Sequence, residues 1–216
     1  MALGDSITWG LAASKTCQPQ VATPVETSCP DGTSFTAVLA RALHASGRSI
    51  RIQNVAISGA RVSWILADEI KKIAPDVNLI TVFVGANDFS DIAFRRGSLA
   101  DFEHQYSALV AYVVRHFPEA RIVLVNVPNV GYLPCCGDTR GQGQGTWQAG
   151  NAFIDSFANR FSVVDLVCDA TLYQAAMFPA QGGIHPGDVG HARIAADIMA
   201  TLRHPRKPAA SCPPYF

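Results

Sequence analysis

Four short segments bring residue types that can do chemistry together: Gly4-Asp5-Ser6, Ser58-Gly59-Ala60, Gly85-Ala86-Asn87-Asp88 and His185-Pro186. A serine hydroxyl is a poor nucleophile at its own pKa. It needs a base such as imidazole, whose ordinary pKa of about 6.5 lets it take and return a proton near neutrality. When such a hydroxyl attacks a carbonyl, negative charge gathers on the oxygen, and each preorganised donor there is typically worth about 10²–10³ in rate. Glycine permits close approach of a backbone N–H, and a carboxamide donates without bringing a competing charge. Other chemistries lack their signatures. The chain has no GxSxG elbow, no HExxH and no GxxxxGK(S/T), and Gly141-Gln-Gly143-Gln-Gly145 follows no expected strand and reads as a flexible linker. No nucleotide, metal or other cofactor is expected.

Each segment also has an ordinary structural reading. Gly-Asp-Ser is commonly a turn whose Asp caps the next helix, and Asp5 is read that way. Asn87 alone would be a strand-end turn, and His185 before Pro186 a helix-entry residue. His191 stands six residues after His185, off its helical face, and reads as helix packing. Trp9, beside Ser6, either lines a pocket or fills the core.

The elements that must position these segments are legible from periodicity. Phe35, Val38, Leu39, Ala42 and Leu43 form the stripe of a helix, with Thr33 or Ser34 as N-cap candidates and Gly47 closing it. Phe102, Tyr106, Leu109, Val110 and Val113 share one face of a helix that stops near Pro118. Phe153, Phe157 and Phe161 repeat every four residues, and Ile194, Ala195, Ile198, Met199 and Leu202 predict a final helix. Short β-branched runs at 50–57, 79–84, 122–127 and 163–167 read as strands buried on both faces. Alternating strand and helix predicts an α/β fold, a three-layer α/β/α sandwich around a parallel sheet of about five strands. Ligands of such sheets bind beyond the carboxyl ends of the strands; three of the segments follow strands and His185-Pro186 enters the last helix, so all four can converge on one cleft. Residues 14–33 and 132–147 read as long loops.

In this order and at these strand ends, Gly4-Asp5-Ser6-Ile7-Thr8, Asn54 through Gly59, Gly85-Ala86-Asn87-Asp88 and His185-Pro186 resemble the four blocks of the SGNH hydrolases, also called GDSL esterases and lipases, over nearly the whole chain. The resemblance implies a flavodoxin-like strand order 2-1-3-4-5 and metal-free ester hydrolysis. It also implies Ser6 as nucleophile, His185 as base, and an oxyanion hole of the Ser6 N–H, the Gly59 N–H and the Asn87 amide. One position departs from the family: the Asp usually found three residues before the histidine is Gly182 here. The backbone carbonyl of Gly182 would then orient His185. The alternatives are Asp165 and Asp169, read as packing-edge and loop residues, and Asp188, read as an acidic residue in the first turn of the last helix.

With 17 Lys+Arg against 17 Asp+Glu, formal net charge is zero, and no basic face marks a nucleic-acid binder. No apolar run reaches the roughly 18–20 residues of a membrane span. Residues 1–203 read as one catalytic domain and 204–216 as a Pro-rich tail tethered through Cys212. Six cysteines without zinc-like spacing favour disulfides over buried thiols or metal ligands. Cys17 is expected to pair with Cys29, which brackets one loop with it, and Cys135 and Cys136 to pair separately with Cys168 and Cys212. The first strand looks short, as if the N-terminus were trimmed of an export signal, so a secreted or periplasmic monomer is expected. The expected function is a serine esterase acting on small or medium acyl esters through an acyl-enzyme. The alternatives are a carbohydrate deacetylase, a lysophospholipase or an acyltransferase, and, in another class, a binding protein on a decayed esterase fold.

Overall fold

Runs of Val, Ile and Leu with no charge inside them cannot face water on either side, and they form the middle of the sheet. The computed structural model describes residues 1–16, 25–26, 31–47, 52–129, 143–179, 183–205, 207–209 and 212. Its strands are β1 (Ala2–Gly4), β2 (Val25–Glu26), β3 (Gln53–Asn54), β4 (Leu79–Phe83), β5 (Arg121–Val125) and β6 (Ser162–Val164). They lie in the order β2-β3-β1-β4-β5-β6. All neighbours are parallel except β2, which runs antiparallel to β3 at the edge. The five parallel strands therefore take the order 2-1-3-4-5, as expected. The edge strand β2 was not foreseen, and it falls within the stretch read as a loop.

The helices are α1 (Ser6–Trp9), α2 (Phe35–Ala45), α3 (Val62–Ala67), α4 (Ala86–Ala93), α5 (Leu99–His116), α6 (Gln144–Ser156) and α7 (Asp188–Arg203). α2 packs on α7, while α3, α4 and α6 pack with α5. The apolar stripe of α5 is buried as its spacing requires, and Ser98 caps it by accepting the Asp101 N–H at 3.1 Å. The Phe153, Phe157, Phe161 series does not stay in one helix: α6 ends at Ser156, and a 3₁₀ turn carries Phe157–Asn159. The ring series nonetheless stays connected, with Phe153 and Phe157 centroids 5.4 Å apart.

The tail differs from expectation. Cys168 is disulfide-bonded to Cys212, so neither can pair with Cys135 or Cys136. The reason is the path of the chain after α7. Ala209 N donates to Asp165 Oδ2 at 2.9 Å and Lys207 Nζ to Asn159 Oδ1 at 2.7 Å, which lays the tail across the end of β6 beside Cys168. Cys17, Cys29, Cys135 and Cys136 lie outside the described residues. Among those residues no helix is long and apolar enough to cross a membrane.

Between α2 and α7, His191 is fully buried and stacks on Phe35 with centroids 6.3 Å apart. It is a packing histidine, as its spacing suggested. Its Nε2 lies 3.4 Å from Leu11 O, and its Nδ1 has no hydrogen-bond partner. Burial pushes its pKa down to about 4. A histidine depressed in the folded state binds fewer protons there than in the unfolded chain, so its contribution is intact above the ordinary pKa and is lost as pH falls. Between pH 6.5 and 4 the protein is therefore expected to lose up to about 3 kcal/mol relative to His191→Phe. The check is urea unfolding of both proteins across that range; a constant difference between them would contradict a buried neutral imidazole.

Candidate active site

The turn after β1 carries Ser6. Asp5 is the N-cap of α1 and accepts the Ile7 N–H at 3.0 Å, while Gly10 ends the helix in the left-handed region at φ 94°. Ser6 is the first residue of that helix, so its N–H belongs to the first-turn amides that have no intrahelical acceptor. The turn is tied down from below. Thr8 Oγ1 donates to Phe83 O at 3.1 Å, and Asn54 Nδ2 donates to Thr8 O at 2.7 Å. Burial raises the Asp5 carboxyl to about 7, with Asp88 nearby adding to the effect.

The second and third segments meet each other. Gly59 has φ 82°, a conformation that side chains rarely adopt, and a Cβ there would meet open space, so the backbone is bare on that side. Asn87 stands in the first turn of α4, and its Nδ2 donates to Ala60 O at 3.0 Å, which uses one of its two amide hydrogens. Asp88 turns the other way and accepts the Val62 N–H at 3.3 and 3.4 Å. It thereby caps α3, whose own N-cap residue Arg61 makes no side-chain cap bond. Burial lifts Asp88 to about 6. Arg61 pairs with Asp91, holding that carboxyl below the usual range, and reaches back to Gly59 O at 3.4 Å.

His185 arrives from the far end of the chain. Gly187 N donates to Met177 O at 2.9 Å, and α7 begins at Asp188. This places His185 Nε2 2.9 Å from Ser6 Oγ. The three alternative carboxylates are engaged elsewhere. Asp165 accepts from Asn126 Nδ2, Cys168 N and Ala209 N; Asp169 holds Arg193 through two bonds of 2.7 and 3.1 Å; Asp188 accepts from Ser14 N at 2.7 Å and Ser14 Oγ at 2.6 Å. Gly182 lies outside the described residues.

Ser6, Gly59, Asn87 and His185 line one cleft of ≈ 200 Å³. Its remaining walls include Ile7, Leu11, Ser58, Ala86, Val127, Pro128, Phe178 and Ile184. Trp9 is half-buried and is not among the lining residues. Sequence reasoning missed Asn151, whose side chain grips Val127 by both backbone groups at 2.8 Å, and Trp147, whose Nε1 donates to Pro128 O at 3.0 Å. Trp147 fell in the stretch read as a loop, but α6 begins at Gln144, inside the run 141–145 read as a flexible linker, and neither an Asn nor a Trp there signals such a role until the facing strand end is known.

No curated protein matches the chain in sequence. Among solved structures it is similar to an α/β-hydrolase enzyme from the metagenome of Lake Arreo, Spain, at TM-score 0.72 and 20% identity, covering 95% of this chain and 94% of that one. An acetylxylan esterase from Geobacillus stearothermophilus is similar at TM-score 0.71 and 21% identity, covering 97% and 95%. A lipase/acylhydrolase from Enterococcus faecalis follows at 0.64 and 22%, covering 97% and 98%. At these identities the structures show a common fold. The GDSL-like lipase/acylhydrolase family matches residues 2–193, so this chain belongs to that family and is, by class, a carboxylic ester hydrolase.

Proposed function

We propose that the protein hydrolyses small or medium acyl esters through an acyl-enzyme, with Ser6 as nucleophile and His185 as general base. The observation that carries this reading is the 2.9 Å contact between Ser6 Oγ and His185 Nε2 across 179 residues of chain. With its proton on Nδ1, His185 accepts the hydroxyl proton at Nε2 as Oγ bonds to the ester carbon. The carbonyl oxygen takes the charge and is held by the Ser6 N–H, the Gly59 N–H and the second hydrogen of the Asn87 amide. As the C–O bond to the alcohol breaks, His185 returns the proton to the leaving oxygen. Water then repeats the sequence on the acyl-enzyme and restores Ser6. No cofactor enters.

The cleft volume of ≈ 200 Å³ supports a short acyl group, being below the roughly 300–1,000 Å³ of pockets that enclose drug-sized ligands. The other bonds made by Asp165, Asp169 and Asp188 support a Ser–His dyad whose imidazole is oriented by a main-chain carbonyl, that of Gly182. The Cys168–Cys212 disulfide supports an oxidising, exported location.

Hydrolysis of p-nitrophenyl acetate tests the reading. Ser6→Ala is expected to abolish turnover, and activity like that of the parent would end it. Asn87→Ala is expected to lower kcat by about 10²–10³ with a smaller effect on KM, because its donor is aimed at charge that develops in the transition state. Asp165→Asn, Asp169→Asn and Asp188→Asn are each expected to stay within a few-fold of the parent. Loss of a triad carboxylate typically costs about 10⁴ in kcat, so a drop of that size in any one of them would identify a displaced triad and overturn the dyad.

A further inference from the structure

Glu69 is fully buried, yet no step described above uses it. It opens the 3₁₀ turn Glu69–Lys72 that follows α3, in the charged stretch Asp68-Glu69-Ile70-Lys71-Lys72. Such a stretch reads as solvated surface, but the Glu69 side chain points inward to the carboxyl ends of β1 and β3. Its Oε2 accepts the Gly4 N–H at 3.0 Å, over 65 residues of sequence, and the Ile57 N–H also favours its charged form. These two residues are themselves joined, Ile57 N donating to Gly4 O at 3.2 Å. Gly4 stands two residues before Ser6, and Ile57 stands two residues before Gly59. One carboxyl group thus sits where the strand bearing the hydroxyl and the strand bearing the bare glycine amide both leave the sheet.

The arrangement is costly. Glu69 Oε1 is buried with no hydrogen-bond partner, and the Asp5 carboxyl lies close enough to be felt electrostatically. An ionisable group in the core is disfavoured unless something there requires it. The requirement is geometric. A Cβ on Gly4 would lie 2.2 Å from Phe83 O and 2.2 Å from Thr8 Oγ1, so residue 4 has no side chain with which to hold its own turn. Its buried N–H must be satisfied by a group from elsewhere.

Resting on the assignment of Ser6 and Gly59 given above, we propose that Glu69 is a positioning residue that fixes the nucleophile turn against the oxyanion turn through the Gly4 N–H. It touches no substrate. Its effect is to hold the separation of two groups that must meet one carbonyl, and displacement of reacting groups by about 1 Å can cost about 10²-fold in rate.

Steady-state hydrolysis of p-nitrophenyl acetate, with kcat counted per site titrated by a phosphonate ester, tests this in three variants of the full chain. Glu69→Leu keeps the volume and removes the acceptor, and Glu69→Asp draws the acceptor back by one methylene. Both are expected to lose about 10–10²-fold in kcat with KM within about threefold. Glu69→Gln, whose amide oxygen can still accept the Gly4 N–H, is expected to keep kcat within about threefold. If Glu69→Leu does not fold, the comparison of Asp with Gln decides the matter. A Glu69→Asp variant with parental kcat per titrated site, whatever its melting temperature, would show a merely structural residue. A Glu69→Gln variant as impaired as Glu69→Asp would show that the charge matters and the acceptor does not. Either result overturns the proposal. Inactivity of the parent itself would instead count against the esterase reading, so the two failures are distinguishable.

Discussion

The turn after β1 has no slack. A side chain at Gly4 would collide with the carbonyl of Phe83 and with Thr8, which means β1, β4 and α1 meet there at closer range than any residue but glycine allows. That contact sets where the hydroxyl of Ser6 stands. Thr8 bonds Phe83 O, Asn54 bonds Thr8 O, and Glu69 bonds the Gly4 N–H, so the short helix is held by the strands on both sides of it. The sheet order does the rest. With β1 between β3 and β4, the turns that follow these three strands open at the same edge, and the segments bearing Ser6, Gly59 and Asn87 become neighbours.

Three carboxyl groups, Asp5, Asp88 and Glu69, are buried around the turns that carry Ser6, Gly59 and Asn87, and none of them lines the cleft itself. Burial raises Asp5 to about 7, Asp88 to about 6 and Glu69 to about 8. Their oxygens accept backbone N–H groups at the starts of α1 and α3 and at the end of β1. Raised pKa values leave less negative charge around these turns at neutral pH than three ordinary carboxylates would. In the proposed reaction, where charge gathers on a carbonyl oxygen, that lowers the repulsion to be overcome. The walls are different in kind: Leu11, Val127, Phe178 and Ile184 are apolar, and Asn151 and Trp147 hold the backbone of Val127 and Pro128 from behind.

What the sequence disclosed followed period and composition. The helix at 35–43 and the buried stripe of α5 were legible because each shows a full i, i+3, i+4, i+7 set, and the parallel sheet followed from alternation of element types. Residues 50–57 read as a strand, but β3 is confined to Gln53–Asn54 although Val55 and Ile57 still bond to Ala2 O and Gly4 O. There Asn54 turns its side chain to Thr8 O and to the Ala56 N–H, a local choice that no periodicity records. The cysteine partners were not legible because they depend on the path of the tail, which is set by single bonds to Asp165 and Asn159. Glu69 was invisible for the same kind of reason: a lone glutamate among charged neighbours shows its partner only when strands 65 residues away are in place.

In the proposed mechanism this turn presents Ser6 to His185 as an activated nucleophile. Mass spectrometry of the protein after reaction with a fluorophosphonate at neutral pH tests it most directly. A single adduct should form, on the peptide that contains Ser6, and its rate of formation should collapse in His185→Ala. An adduct on any other residue, or labelling of Ser6 at an equal rate without the imidazole, would contradict it.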